Sequence, residues 1–133
     1  MAKERVETTI TDGIRISVRC EYQVSHSNPQ KGEYIFAYWV TIANESPYTV
    51  QLLRRHWIIF DSVGAIREVE GEGVIGEQPI LQPGDMHKYS SWCPLSTAVG
   101  RMNGSFEMMR THKGQLFKVA IPEFNLVADF KQN

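Results

Sequence analysis

The spacing of the apolar residues constrains this chain more than any other feature. Ile14, Ile16, Val18, Cys20, Tyr22 and Val24 alternate with Arg15, Ser17, Arg19, Glu21 and Gln23. Successive strand side chains point to opposite faces, so a period of two predicts a strand with one buried face. From Tyr34 to Ala43 the residues are mostly aromatic and β-branched. Tyr34, Phe36, Tyr38, Val40 and Ile42 fall on one face, and Ile35, Ala37, Trp39 and Thr41 on the other. A strand apolar on both faces belongs inside its sheet rather than at an edge. Val50 to Phe60 predicts the next strand, and residues 65–70 return from a hairpin turn at Asp61-Ser-Val-Gly64.

Turn signals separate these runs: SHSNPQKG at 25–32, NESP at 44–47 and QPGD at 82–85. Met86 to Cys93 predicts a strand stopped by Pro94. Gly104–Arg110 and Gln115–Ile121 form a hairpin around Thr111-His-Lys-Gly114, its second arm ending at Pro122. No segment sustains a 3.6-residue period with helix caps. Short strands at this spacing predict an all-β, antiparallel two-sheet sandwich of the fibronectin type III or immunoglobulin kind. Phe36, Trp39, Val40, Ile58 and Phe117 are its candidate core residues. Residues 1–133 are expected to form a single domain, with a core of about 6–127 and a flexible tail from Ala128.

Charge and composition exclude some functions. Fourteen Lys and Arg against fifteen Asp and Glu give a net charge of -1, without the basic excess of a nucleic-acid binder. Met1-Ala-Lys-Glu-Arg5 is charged and leads into no apolar run. The apolar runs fall short of the ~18 residues that cross a bilayer. The expectation is a cytoplasmic chain without membrane contact. Cys20 and Cys93 lie far apart in strand-like segments and read as reduced, buried thiols.

Two motifs invite a chemical reading. Gly71-Glu-Gly-Val-Ile-Gly76 matches G-x-G-x-x-G, whose glycines normally follow a strand and open a helix that holds a pyrophosphate. Here Glu77-Gln-Pro79 and then Pro83-Gly84 leave no room for that helix, and Glu72 and Glu77 would repel a phosphate. Gly71, Gly73 and Gly76 therefore read as backbone devices: positive φ, a bulge or close strand approach. A phosphate or nucleotide site formed by this loop with Arg54 and Arg55 is the alternative.

The second motif is Arg54-Arg55-His56-Trp57. A four-residue turn at 61–64 would set Arg55 opposite Glu70, Trp57 opposite Glu68 and Ile59 opposite Ile66. One reading is a surface ion pair above a packed Trp57. The other is a partner-binding surface of Arg54, Arg55, His56, Trp57 and Glu70, because arginine and aromatic residues concentrate interface energy. A bulge at the turn would move this register by one residue.

Other chemistry finds little support. His26, His56, His87 and His112 show no metal-ligand spacing, so neither a metal site nor a cofactor is expected. Glu68, Glu70, Glu72 and Glu77 could meet Mg²⁺, but they read as a solvated acidic edge. His87 shares a strand face with Ser91 and Cys93. There is no nucleophile elbow, and the chain is expected not to be an enzyme.

Several ordered blocks carry a resemblance to the ApaG family. They are Tyr34-Ile-Phe-Ala-Tyr38, Leu52-Leu-Arg-Arg-His-Trp-Ile58, Gly71 to Pro79, Tyr89-Ser-Ser-Trp-Cys-Pro94, Gly104-Ser-Phe-Glu-Met108 and Ile121-Pro-Glu-Phe124. The likeness runs from about Ile14 to Leu126. It implies a fibronectin type III-like sandwich. The family's domain also accompanies F-box and DNA polymerase delta-interacting modules, which implies a non-catalytic protein-binding role, here as a monomer or weak homo-oligomer. A family association with cobalt and magnesium homeostasis implies at most an indirect role.

Overall fold

In the computed structural model, which describes residues 5–129, nine strands follow one another: β1 (Val6–Thr11), β2 (Ile14–Tyr22), β3 (Tyr34–Asn44), β4 (Val50–Asp61), β5 (Ile66–Glu72), β6 (Ile80–Leu81), β7 (Met86–Leu95), β8 (Val99–Arg110) and β9 (Gln115–Val127). They form two sheets, ordered β1-β2-β3-β7 and β5-β4-β8-β9. The two-residue β6 continues along the β4 edge that β5 occupies. All pairings are antiparallel. The only helical turns among the described residues are two of 3-10 type, Val24–His26 and Pro29–Lys31, inside the polar cluster before β3. None of the described helices is long and apolar enough to cross a membrane.

The doubly apolar β3 lies between β2 and β7, away from the sheet edges. Phe36 and Val40 are buried with Tyr38 and Ile42 on its inner face. Trp39, by contrast, is only half-buried, as are Ile58 and Phe117. Trp39 occupies the solvent side of β3, where the Arg19 guanidinium carbon lies 3.8 Å from its ring centre. In a sandwich only the face toward the opposite sheet becomes core, so an apolar outer face is covered by long side chains instead.

Both prolines expected to end strands lie inside them. Pro94 is within β7, an edge strand, where proline's missing N–H removes no necessary ladder bond. Pro122 lies where the β8–β9 register shifts between Met102 and Gly104, so β9 runs on to Val127. The expected flexible tail also begins too early. Ala128 is 8% exposed, and its N–H donates to the Ala98 carbonyl at 2.8 Å. Residues 130–133 of that tail lie outside the described residues.

β1 escaped the periodicity because its apolar residues face outward. Val6 and Ile10 are exposed, while Thr9 and Thr11 face the other sheet. Thr9 Oγ1 donates to the Ala120 carbonyl at 2.9 Å, and Thr11 Oγ1 accepts from the Ala120 N–H at 3.2 Å. Together with Cys20 Sγ on the Asn125 carbonyl, these bonds seal the flank where β1 and β2 meet β9. The opposite flank, between the edge strands β5 and β7, holds the candidate site.

Candidate functional site

The β4–β5 hairpin positions the site, and its turn carries one residue more than the expected four. Asp61 N–H donates to the Ala65 carbonyl and Gly64 N–H to the Asp61 carbonyl, with Gly64 at φ +89°. A type I turn followed by a left-handed residue is the usual three-residue hairpin loop. The register moves by one. Arg55 is opposite Gly71, not Glu70; Trp57 is opposite Val69, not Glu68; Ile59 is opposite Arg67, not Ile66.

This register divides the Arg-Arg-His-Trp tetrad between two faces. Arg54 and His56 face solvent with Glu68, Glu70 and Glu72. His56 Nε2 is 3.0 Å from Glu68 Oε1. Arg55 and Trp57 face the opposite sheet. Trp57 is 2% exposed and meets Tyr38 and Phe124 edge-on, at centroid separations of 5.3 and 6.0 Å. It is a core residue and cannot serve as a surface anchor. Strict alternation along 54–57 already carried that division, since neighbours in a strand never share a face.

The glycine string is an excursion of the sheet edge between β5 and β6. Gly73 N–H donates to the Leu53 carbonyl, and Val74 and Glu77 exchange N–H···O bonds of 2.8 and 3.0 Å around Ile75-Gly76. Ile75 and Gly76 have φ of +47° and +74°, the pattern of a type I′ turn. Val74 is fully buried and pins the excursion to the core. A Cβ at Gly73 would collide with the Glu77 carbonyl, and one at Gly71 would lie 2.8 Å from Arg55 Nη1. Arg55 Nη1 donates to the carbonyls of Glu72 and Gly73 at 3.0 and 3.1 Å. The loop therefore turns carbonyls toward its arginine, while three of its N–H groups are bonded within the fold. A phosphate cradle needs the reverse polarity.

Arg55 also lines a crevice of about 350 Å³ on the open flank. Tyr38, Trp57, Ile59 and Val69 form much of its walls, and Arg55, Arg67, Ser91 and Cys93 supply its polar atoms; Trp92 also borders it, with its ring on the outer face of β7 against His26. Arg67 Nη2 crosses between the sheets to the Pro94 carbonyl at 2.6 Å and lies 3.6 Å from Cys93 Sγ. Burial pushes the Cys93 thiol up while Arg67 pulls it down, and the net shift is upward. Burial likewise pushes up the Tyr38 phenol, against a hydrogen bond from Ser91. Both groups are neutral near pH 7, so Cys93 offers no thiolate.

His87, Ser91 and Cys93 do share the inner face of β7, as alternation requires. His87 Nε2 nonetheless lies 3.8 Å from Glu77 Oε2, and Glu68 pairs with His56. Among the described residues no three His, Cys, Asp or Glu side chains converge on a point that could hold a metal ion. Arg67 and Trp92 were not singled out by sequence. The available signal was the Arg67-x-Val69-x-Gly71 alternation, which sets Arg67 opposite in facing to Glu68, Glu70 and Glu72.

The fold and sequence have close counterparts. The family model of the ApaG domain matches residues 24–110. Protein ApaG of Beijerinckia indica subsp. indica is 46% identical over 125 residues, covering 94% of this chain and 95% of the relative. Protein ApaG of Acidithiobacillus ferrooxidans is 49% identical over 115 residues, 86% of this chain and 90% of the relative. A crystal structure of an ApaA protein from Bordetella pertussis is 39% identical. It superposes with a TM-score of 0.85 over 89% of this chain and 95% of its own. On sequence and fold together, the chain belongs to the ApaG domain family.

Proposed function

We propose that this protein is a non-catalytic binding module that receives a protein partner on the flank between β5 and β7. One observation carries the reading: an arginine-lined crevice opens between two sheet edges on this flank, and the half-exposed Trp92, on the outer face of β7, stands beside it. Interface energy concentrates in aromatic and arginine side chains seated beside pockets. The edge of β7 also offers backbone groups to which an extended partner segment can add. The raised pKa values of Cys93 and Tyr38 support a binding role over nucleophilic catalysis. Two free cysteines fit a reducing compartment such as the cytoplasm.

The test is affinity capture from native lysate with three forms of the full chain: wild type, Trp92→Ala, and Ile10→Ser on the outer face of the sealed flank. A saturable partner held by wild type and Ile10→Ser but lost by Trp92→Ala is the expected result. Equal capture by all three would move the interface elsewhere. Absence of any saturable partner would remove the reading.

A further inference from the structure

We infer that the crevice between β5 and β7 is a site for an oxyanion, a phosphate or carboxylate group held between the guanidinium groups of Arg55 and Arg67. The site differs from the glycine loop in place and in chemistry: it uses inward-facing side chains, not loop N–H groups.

Charge is the first ground. Both arginines line the crevice and no acidic residue does. The acids nearest in sequence, Glu68, Glu70 and Glu72, alternate with Arg67 along β5 and face the opposite way. By contrast, Arg15 meets Glu45 at 3.0 Å and Arg101 meets Glu123 at 3.3 Å. Among the described residues Arg55 and Arg67 bond only to carbonyl oxygens and a thiol sulfur. Two cations lining one crevice, Arg55 partly buried and Arg67 exposed, leave a local positive field that draws an anion.

Donor geometry is the second ground. Arg55 is anchored through Nη1 and Arg67 through Nη2, which leaves Nε and the other terminal nitrogen of each. A guanidinium carries five donors in a planar fork that matches phosphate and carboxylate oxygens. The anchoring bonds hold both forks in place, so less ordering is needed on binding. Hydroxyls complete the set. Tyr38 and Ser91 line the crevice. At about 350 Å³ the space suits an oxyanion with a small organic body against Trp57 and Val69.

The proposal deepens the open-flank reading, since a partner could carry the anion, yet its test requires no partner. Inorganic phosphate and acetate are titrated separately into the ¹⁵N-labelled full chain at constant ionic strength, following the arginine Nε–H signals. The expected result is a saturable shift at Arg55 and Arg67 with either anion, weakened about tenfold or more in Arg67→Gln. Arg55→Lys, which keeps charge but loses the fork, should weaken it as well, and it stands in if Arg67→Gln does not fold. Saturation by phosphate alone assigns a phosphate ligand; equal saturation by acetate assigns a carboxylate. Shifts that do not saturate, that persist undiminished in Arg67→Gln and Arg55→Lys, or that map to outer-face Arg54 and Arg101 would overturn the proposal. Because no protein enters the titration, its failure leaves the capture result with Trp92→Ala standing, and the reverse also holds.

Discussion

Where β1 and β2 meet β9, the sheets are joined by short neutral side chains: Thr9 and Thr11 bond to the backbone of Ala120, and Cys20 to that of Asn125. Where β7 faces β5 and the loop after it, the spans are made by longer side chains. Arg67 reaches Pro94, and His87 lies 3.8 Å from Glu77. Threonine and cysteine bond over a short reach, so the sheets close and core residues such as Leu126 are wholly covered. An arginine bridge holds the edges apart and leaves a cavity with spare donors. The same sandwich thus keeps its packing on one flank and its recognition chemistry on the other. That division fits the general tendency of binding sites to occupy the less tightly packed parts of a fold.

The largest test of this contrast is Leu126→Ala, on the inner face of β9. Removing a fully buried leucine costs about 2–5 kcal/mol, through lost transfer energy and a residual cavity. Urea melts measure it. A loss below about 1 kcal/mol would mean that the sealed flank does not lock the sheets. On the open side, Gly73→Ala should cost about 1–3 kcal/mol, because Gly73 has φ +63° and a Cβ there strikes the Glu77 carbonyl. Gly76→Ala, with φ +74° but open space, should cost less in the same melts.

Alkaline pH acts on both flanks, through Cys20 on the sealed one and Cys93 and Tyr38 on the open one. Burial pushes the Cys20 thiol up to about 11 from 9.0. Above pH ~9 the unfolded chain sheds that proton while the folded chain keeps it, so stability falls as pH rises from about 9 to about 11. The Cys20 share of the fall should not exceed about 2 kcal/mol, and Cys20→Ala should reduce the slope by that share. Melting temperatures across that range, compared with those of Cys20→Ala, provide the check.

Two smaller effects sharpen the open side. Ile75 is β-branched and 62% exposed, yet holds φ +47°, a conformation costing L-residues roughly 1–2 kcal/mol. Ile75→Asn supplies the Asn-Gly pair that a type I′ turn favours and should raise stability by about 1 kcal/mol. If partner capture drops while stability rises, Ile75 is retained for contact. Trp92→Ala should change stability by about 0.5 kcal/mol or less, since the ring is half exposed and meets His26 edge-on. A loss beyond about 2 kcal/mol would make Trp92 a packing residue and remove the reason to treat it as an anchor.

Much of the scaffold was legible in the chain because strand alternation is local. The faces of β2 and β3, the interior place of β3 and the backbone role of Gly73 and Gly76 all follow from residues a few positions apart. The candidate site was only half legible. Arg55 stood out with its neighbours, but its pairing with Glu70 depended on a turn one residue shorter than the one Gly64 makes. Trp57 read either as packed beneath an ion pair or as a surface anchor, and its own parity set it inside.

Local patterning fixes that this chain forms strands, where most of them turn, and which side chains share a face. Tertiary structure decided which face became core, which strand edges met, and that Arg55 and Arg67 would line one crevice with Trp92. The physical reason is range. Alternation is set by the pleat over two residues, whereas the sealed flank rests on contacts such as Thr9 with Ala120, 111 positions apart. Such contacts settle how the sheets close, and the site is the gap left at the other edge.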